Sequence, residues 1–278
     1  MLAAGEPRST RDRYASFEAG LCPAPQDEEV GSLRGNFEDN ELTEPLFRDD
    51  AYLREVTAVV TAVTPEGGIV LDRTVLYAQG GGQLGDPGTL VRQDGSEIAI
   101  ATSNYAPDRV SIVHVPATQA GPLPAVGEAV TVRLDWDRRW PRMRIHTALH
   151  LLSVVLPYPV TGGSIGEGEG RLDFDIQEAG LDKAELTQKL QELVQRDAAV
   201  STRWISDAEL DANPGLVKTM SVQPPRGSGR VRLVEIEGID LQPCGGTHVA
   251  RTGEIGSVVV TDIAKKGKQN RRVRIALA

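Results

Sequence analysis

Two pairs of metal-binding side chains restrict what this chain can fold into more than any other feature. His146 and His150 lie in the segment RIHTALHLL, and Cys244 and His248 lie in PCGGTHV about 95 residues later. The chain has only four histidines and two cysteines, so such a concentration is not expected by chance. Imidazole and thiolate are the ligands that a borderline-soft divalent metal, above all zinc, prefers. The sequence therefore predicts a metal site and a fold that brings both pairs together.

The spacing within each pair agrees with this prediction. On a helix, His146 and His150 project from one face, one turn apart. The two glycines of CGGTH predict a turn that directs Cys244 and His248 toward one point. Four protein ligands are typical of a closed structural zinc site, whereas a catalytic zinc usually keeps one position open. Both roles remain open at this stage.

The first half of the chain has a β pattern. From about residue 45 to 137, short segments rich in Val, Ile and Thr alternate with Gly and Pro. Antiparallel strands at this spacing predict a small barrel or sandwich. The segment LYAQGGGQLGDPG at 76–88 interrupts them, because no strand interior favours three consecutive glycines. His114 lies within one predicted strand, and we expect it to be structural.

The second half has a mixed pattern. Apolar residues recur at three and four over Met143 to Leu156 and over about 182–198, which predicts two helices. Between them lies the glycine-rich TGGSIGEGEG, followed by a predicted strand RLDFDI, with further strands at 230–237, 255–263 and 271–277. This order predicts an α+β fold in which helices cover one face of an antiparallel sheet. We predict three parts: a disordered or loosely attached acidic extension (1–42), a β-rich, barrel-like domain (43–138) and an α+β domain (139–278).

Charge is distributed unevenly along the chain. The net charge is −9, but residues 1–50 alone hold 12 acidic and 5 basic side chains. Basic residues cluster in WDRRWPRMR at 136–144 and in KKGKQNRRVR at 265–274. Such patches can bind a phosphate backbone even in an acidic protein, although lysines also protect exposed strand edges. The sequence has no long apolar run and no signal-peptide pattern, so we expect a cytoplasmic protein without a membrane partner.

Four motifs in this order carry a resemblance to a known family. RIHTALHLL followed by PCGGTHV, with LYAQGGGQLGDPG upstream and KKGKQNRRVRI at the end, resembles the editing domain of alanyl-tRNA synthetases. The similarity is stronger to their free-standing relatives, the AlaX alanyl-tRNA editing proteins. It covers roughly residues 45 to 278. One departure is that Leu76, Tyr77 and Ala78 stand where the family often has Phe-Tyr-Pro.

The resemblance implies a function and a set of site residues. The function would be zinc-dependent hydrolysis of the ester that joins a wrong amino acid, serine or else glycine, to alanine tRNA. The ligands of one Zn²⁺ per chain would be His146, His150, Cys244 and His248. Gln83 and Thr147 are candidate catalytic groups, because either side chain can hydrogen-bond a serine hydroxyl. Candidate substrate-binding residues are the loop glycines and the basic residues of the last segment: Gly80, Gly81, Gly82, Lys265, Lys266, Lys268, Arg271 and Arg272.

Two alternatives remain open from the sequence. One is a zinc-stabilised module that binds tRNA or a synthetase without catalysis. The other is a metallohydrolase that acts on a different ester or amide. No nucleotide cofactor is expected, because no Walker-type loop is present.

Overall fold

The computed structural model describes residues 42–118, 121–176, 180–218, 229–267 and 269–278. The extension predicted over 1–42 lies outside these ranges except for Leu42, and so does Lys268 of the basic segment. The structure therefore bears on the barrel-like part and the α+β part of the prediction.

Within these ranges the chain forms strands, helices and three short 3-10 turns. The first part contains β1 (Glu44–Pro45), β2 (Glu55–Val63), β3 (Ile69–Leu71), β4 (Arg73–Thr74), β5 (Gly88–Arg92), β6 (Glu97–Tyr105), β7 (Ile112–Pro116) and β8 (Ala129–Leu134). The second part contains α1 (Trp136–Val155), β9 (Val160–Ile165), β10 (Glu169–Asp175), α2 (Lys183–Gln195), β11 (Val200–Ser206), α3 (Asp207–Ala212), β12 (Arg230–Ile236), β13 (Asp240–Pro243), β14 (Val258–Lys266) and β15 (Asn270–Leu277). The 3-10 turns are Leu46–Arg48, Pro214–Leu216 and Thr252–Ile255.

Six strands of the first part close into a barrel in the order β2-β3-β7-β6-β5-β8, and all neighbours are antiparallel. Alternate residues point inward, as expected for strands with one buried face. The interior includes Ala58, Val60, Ile69, Leu71, Leu90, Ile100, Val130 and Val132. The predicted small barrel is confirmed. The sequence pattern does not predict β5, because this strand begins at Gly88, the last residue of the glycine-rich segment.

The second part is α+β, as predicted. A four-stranded antiparallel sheet has the order β14-β15-β10-β9, and a three-stranded antiparallel sheet has the order β11-β12-β13. The larger sheet packs with α1 and α2 in one apolar core, in which Leu149, Leu152, Leu190, Phe174 and Val273 are buried. This core holds α1, which carries the HxxxH pair, against the sheet.

Helix α1 begins earlier than the predicted Met143. Asp135 precedes it as the N-cap, and its side chain accepts a hydrogen bond from the Arg138 backbone N–H at 3.2 Å. Pro141 lies inside the helix. Proline lacks a backbone N–H and is uncommon at such a position, so the sequence pattern favoured a start after it.

The glycine-rich TGGSI, over which the sequence pattern predicts no strand, is part of a strand in the structure. Residues Val160–Ile165 form β9, which pairs with β10. Its other side approaches the glycine-rich segment of the first part, where the Ile165 N–H donates to the Gly82 carbonyl at 2.8 Å. Glycine in a strand often marks a place where another backbone comes close, and that explains this composition.

The basic cluster at 136–144 does not form the exposed phosphate-binding patch that its charge suggested, because two of its arginines are buried. Arg139 is fully buried and Arg142 is 3% exposed. Both pair with the buried carboxylate of Asp86: Arg139 Nε donates at 2.7 Å and Arg142 Nη1 at 3.3 Å. These charges join α1 to the glycine-rich segment and are not available to a phosphate backbone.

Among the described residues, no helix has the length and apolar character that crossing a bilayer requires. The division of the chain at residue 138 stays a prediction, and this position lies in the first turn of α1.

Candidate metal centre and its cleft

The structure brings the four predicted ligands into one cluster. One ligand atom from each of His146, His150, Cys244 and His248 lies within 4.8 Å of the others. Cys244 Sγ is 3.5 Å from His146 Nε2 and 3.3 Å from His248 Nε2. The two histidines of α1 and the CGGTH turn therefore meet, as their spacing predicts.

The donor set fits a tetrahedral metal ion. A zinc site has Zn–S of about 2.3 Å and Zn–N of about 2.1 Å. At a tetrahedral angle, these lengths place the sulfur about 3.6 Å from each nitrogen, and the nitrogens about 3.4 Å from one another. The sulfur–nitrogen separations of 3.5 and 3.3 Å agree with that geometry.

Gln83 orients the first histidine of the pair. Its Oε1 accepts a hydrogen bond from His146 Nδ1 at 2.9 Å, and its Nε2 donates to Thr247 Oγ1 at 2.9 Å. With the proton fixed on Nδ1, the Nε2 lone pair of His146 points to the cluster. A partner on the second ring nitrogen is typical of a metal-binding histidine.

The other two histidines are held in the same way. Thr147 Oγ1 donates to the Met143 carbonyl at 3.0 Å and accepts from His248 Nδ1 at 3.1 Å. Asp240 Oδ2 accepts from His150 Nδ1 at 3.1 Å. All three Nδ1 atoms are thus engaged outside the cluster, and all three Nε2 atoms remain for an ion.

The charge environment also favours metal binding. Burial raises the pKa of the Cys244 thiol, but charge interactions and hydrogen bonds with the surrounding histidines outweigh burial and hold this pKa well below its usual value. Burial lowers the pKa of His248 to about 3. The lowered thiol pKa favours the Cys244 thiolate, and the lowered imidazole pKa keeps His248 neutral at pH 7; these are the states that coordinate a metal.

His150 differs from its neighbours. Burial lowers its pKa, yet hydrogen bonds to Asp240 and Cys244 overcome this effect and raise the pKa to about 9. The metal-free protein therefore carries a proton on His150 at pH 7, and metal binding must displace it. Below about pH 9, we expect apparent metal affinity to rise about tenfold for each pH unit, because one proton is released. Competition with a metal-buffering chelator between pH 6.5 and 8.5 measures this slope.

Asp240→Asn provides the control for that titration. Without the carboxylate, the His150 pKa falls and the pH slope flattens, while metal affinity at pH 8.5 drops about 10- to 100-fold. A metal affinity that stays constant over this pH range in the unsubstituted protein would contradict the assignment of the proton to His150.

Two glycines allow the close approaches that build the cluster. A Cβ on Gly246 would lie 2.2 Å from His146 Cε1 and 2.9 Å from Gln83 Oε1. Gly82 has φ of +84°, and a Cβ there would lie 2.9 Å from the Gly163 carbonyl oxygen. Gly246 of CGGTH and Gly82 before Gln83 thus serve close packing around the cluster.

A cleft of about 880 Å³ opens beside the cluster. His146, His150 and Cys244 line it, together with Gly80 and Gly81 of the glycine-rich loop. Its walls also include aromatic and basic side chains from both halves of the chain: Arg48, Tyr77, Tyr105, Arg109, Trp204, Lys218, Arg230 and Arg232.

The predicted basic segment lies elsewhere. Of its described candidates, Lys265 and Lys266 end β14, and Arg271 and Arg272 follow Asn270, the first residue of β15. None of these four lines the cleft. Arg272 makes two hydrogen bonds of 2.7 Å to the Asp173 carboxylate. A role for these residues in binding substrate stays a prediction.

His114 is placed as expected of a structural histidine. It is fully buried in the barrel, where its ring nitrogens contact Thr74 Oγ1 at 2.8 Å and the Ile69 carbonyl at 3.0 Å. Burial lowers its pKa to about 4.

Sequence reasoning missed Asp240, Arg48 and Arg232. Asp240 lies 90 residues after His150 with no motif to link the two, and the two arginines lie outside the motifs and basic clusters of the sequence. Thr147 and Gln83 were predicted as catalytic groups. Because their polar atoms are occupied by the ligand histidines and by Thr247, their placement favours positioning of the ligands.

Comparison with known proteins gives consistent matches. Residues 231–274 match the family described as threonyl and alanyl tRNA synthetase second additional domain, and residues 37–138 match tRNA synthetases class II (A). An alanyl-tRNA editing protein AlaX-M of Methanosarcina acetivorans is 36% identical over 85% of this chain and 99% of its own length. An AlaX-M of Saccharolobus solfataricus is 34% identical over 84% and 98%. An alanine–tRNA ligase of Korarchaeum cryptofilum is 37% identical over 78% of this chain and 24% of the ligase.

Proposed function

Since this chain belongs to the AlaX family of alanyl-tRNA editing proteins, we propose that it deacylates alanine tRNA charged with the wrong amino acid, serine foremost. The reaction is hydrolysis of the ester at the tRNA 3′ end, and the cluster of three histidines and Cys244 is its zinc centre. The single observation that carries this proposal is the opening of the cluster onto the cleft.

That opening favours catalysis over a structural role. His146, His150 and Cys244 line the cleft, whereas His248 does not. A molecule in the cleft could therefore reach an ion held by the cluster from the side on which His146, His150 and Cys244 lie. A zinc ion that only stabilised the fold would need no such access.

The chain's own residues supply position and charge. Gln83, Thr147 and Asp240 fix the three imidazole rings before substrate arrives, so no reorganisation of the ligands is needed during reaction. When bound by the four ligands, zinc supplies Lewis-acid charge beside the ester. The ester is an activated acyl group, so orientation in the cleft and charge stabilisation suffice without a covalent nucleophile.

Serine is the error that most requires correction. A synthetase pocket shaped for a small side chain rejects the analogue with one extra hydroxyl by only about 10²-fold. A second site that acts on that analogue removes the product which the first site could not exclude.

A deacylation assay tests this function. Ser-, Gly- and Ala-tRNA(Ala) are incubated with the metal-loaded protein, with and without a chelator. We expect release of serine to exceed release of alanine by at least about 10²-fold, because a site that hydrogen-bonds a hydroxyl discriminates against the analogue lacking it. Chelation is expected to stop the reaction.

Two results would contradict the proposal. If the metal-loaded protein left all three esters intact while still binding tRNA, it would be a binding module. If it hydrolysed unrelated esters at the same rate and bound tRNA without salt dependence, it would be a metallohydrolase of another substrate.

A further inference from the structure

Two arginines reach the cleft from different halves of the fold. Arg48 ends the 3-10 turn Leu46–Arg48 that precedes the barrel, and Arg232 lies on β12. Both line the cleft that holds the metal cluster. The sequence gives no sign of this meeting, because 183 residues separate them.

Each arginine is only partly hydrogen-bonded. Arg232 is 7% exposed, and its Nη1 donates to the Cys244 and Gly246 carbonyls at 2.9 and 3.0 Å. Arg48 Nη2 donates to the Tyr105 hydroxyl at 3.0 Å. The Nε atoms of both are buried and have no partner in the described structure. Buried N–H groups are nearly always paired, so two such donors beside one cleft indicate a missing acceptor.

The charges of the two guanidinium groups point to an anionic acceptor. Their hydrogen bonds all go to uncharged oxygens. Two guanidinium cations that line the same cleft favour binding of an anion there.

We propose that Arg48 and Arg232 together bind a phosphodiester group of the RNA 3′ end inside the cleft. This inference rests on the proposed function, because it assumes that the occupant of the cleft is RNA. Guanidinium groups present forked N–H donors that match phosphate oxygens. Tyr105 and Trp204 line the same cleft and offer aromatic faces on which bases of a single strand can stack.

The site would place the ester at the metal. A phosphodiester lies one ribose away from an ester at the 3′ end, and Arg232 contacts the turn that carries Cys244. Binding the phosphate thus fixes how far the strand enters the cleft. The role of Arg48 and Arg232 is to position substrate by its backbone, without reading base identity.

Binding of the trinucleotide CpCpA, which carries no amino acid, to the full chain tests this site. Its dissociation constant is measured by calorimetry over a range of salt concentrations. For Arg48→Gln, we expect about tenfold weaker binding and a slope of log Kd against log salt that is smaller by about 0.7, since one contact to a single-strand phosphate is lost. Arg48→Lys, which keeps the charge, is expected to retain most of the slope.

Arg203→Gln is the matched control. Arg203 precedes Trp204 on β11, so its side chain points to the opposite face of the strand, and this side chain is 53% exposed. Removing its charge is expected to leave the slope unchanged. Arg232→Lys supplies a second variant, with metal content measured alongside, because Arg232 also holds the CGGTH turn.

Three outcomes decide the matter. An unchanged slope in Arg48→Gln overturns the inference. Displacement of CpCpA by inorganic phosphate in the unsubstituted protein but not in Arg48→Gln supports it. Phosphate binding together with a salt slope for CpCpA that does not depend on the arginines indicates a site for free anions and overturns the inference. Because CpCpA carries no ester, arginine-dependent binding without deacylation would overturn only the proposed function.

Discussion

Replacing Cys244 with serine is expected to lower kcat/KM for deacylation of Ser-tRNA(Ala) by at least about 10³-fold. The metal's charge contributes several kcal/mol to stabilising the transition state, and a serine hydroxyl is a poor substitute for a thiolate ligand. Cys244 lies 3.5 and 3.3 Å from the Nε2 atoms of His146 and His248, so its loss removes one corner of the tetrahedron. The measurements are kcat/KM under single-turnover conditions and the metal content of the purified variant.

The chain supplies its own control for this substitution. Cys22 is the other cysteine in the sequence, and Cys22→Ser is expected to leave both rate and metal content unchanged. His248→Ala should resemble Cys244→Ser. The double variant should be scarcely slower than either single one, because ligands of one ion act as a unit.

The outcome also separates a catalytic centre from a structural one. If Cys244→Ser abolished hydrolysis while its unfolding transition stayed close to that of the unsubstituted chain, catalysis would be the role of the site. Unchanged deacylation in the Cys244→Ser, His248→Ala double variant would contradict the zinc assignment altogether.

Short-range patterns predicted the cluster itself. The HxxxH pair needs only a helix, and α1 provides it because its apolar residues recur at helical spacing. The CGGTH turn needs only its glycines. Zinc ligands have a restricted chemistry, so four scarce side chains in two pairs were enough to predict that they would meet.

Long-range partners were not predictable in the same way. Asp240, the first residue of β13, accepts a hydrogen bond from His150 on α1, and Gln83 reaches His146 across 63 residues. Which carboxylate or amide lies next to a ring depends on how β13 and the glycine-rich segment pack against α1. No local pattern encodes that packing, although the glycines beside Gln83 indicated a close approach.

The basic residues show the same limit more sharply. Counting charge along the chain singled out 136–144 and 265–274, yet Arg139 and Arg142 are buried against Asp86, and the described candidates of the second segment lie away from the cleft. Arg48 and Arg232, which do line it, lie outside both of these basic clusters. Charge density in sequence therefore says little about charge density at a site.

Removal of the buried carboxylate of Asp86 is expected to have the largest effect on stability. Asp86 is fully buried and accepts hydrogen bonds from Arg139 Nε at 2.7 Å, from Arg142 Nη1 at 3.3 Å and from the Tyr77 N–H at 2.8 Å. Asp86→Ala leaves two guanidinium charges in the interior without this counterion. Breaking a buried ion pair by removing one partner lowers the free energy of unfolding by about 3–5 kcal/mol.

Thermal and urea unfolding measure this loss. For a chain of this size, about 3–5 kcal/mol corresponds to a fall in Tm of roughly 6 to 20 °C. Glu55→Ala is the matched control, since Glu55 pairs with Arg133 at 2.7 Å on the surface, where both side chains are about half exposed. Its removal should change the free energy of unfolding by about 0–1 kcal/mol.

The same substitution should also weaken the metal centre from a distance. Asp86 joins the glycine-rich segment to α1, and Gln83, three residues earlier, orients His146 on that helix. Loosening this connection removes the restraint on His146 Nδ1, so metal affinity in Asp86→Ala is expected to fall about tenfold under conditions where the chain stays folded. A free energy of unfolding for Asp86→Ala within about 1 kcal/mol of that of the unsubstituted protein would contradict this prediction. Other groups would then have to neutralise the two arginines, and the ion pair would not be the contact that joins the barrel to α1.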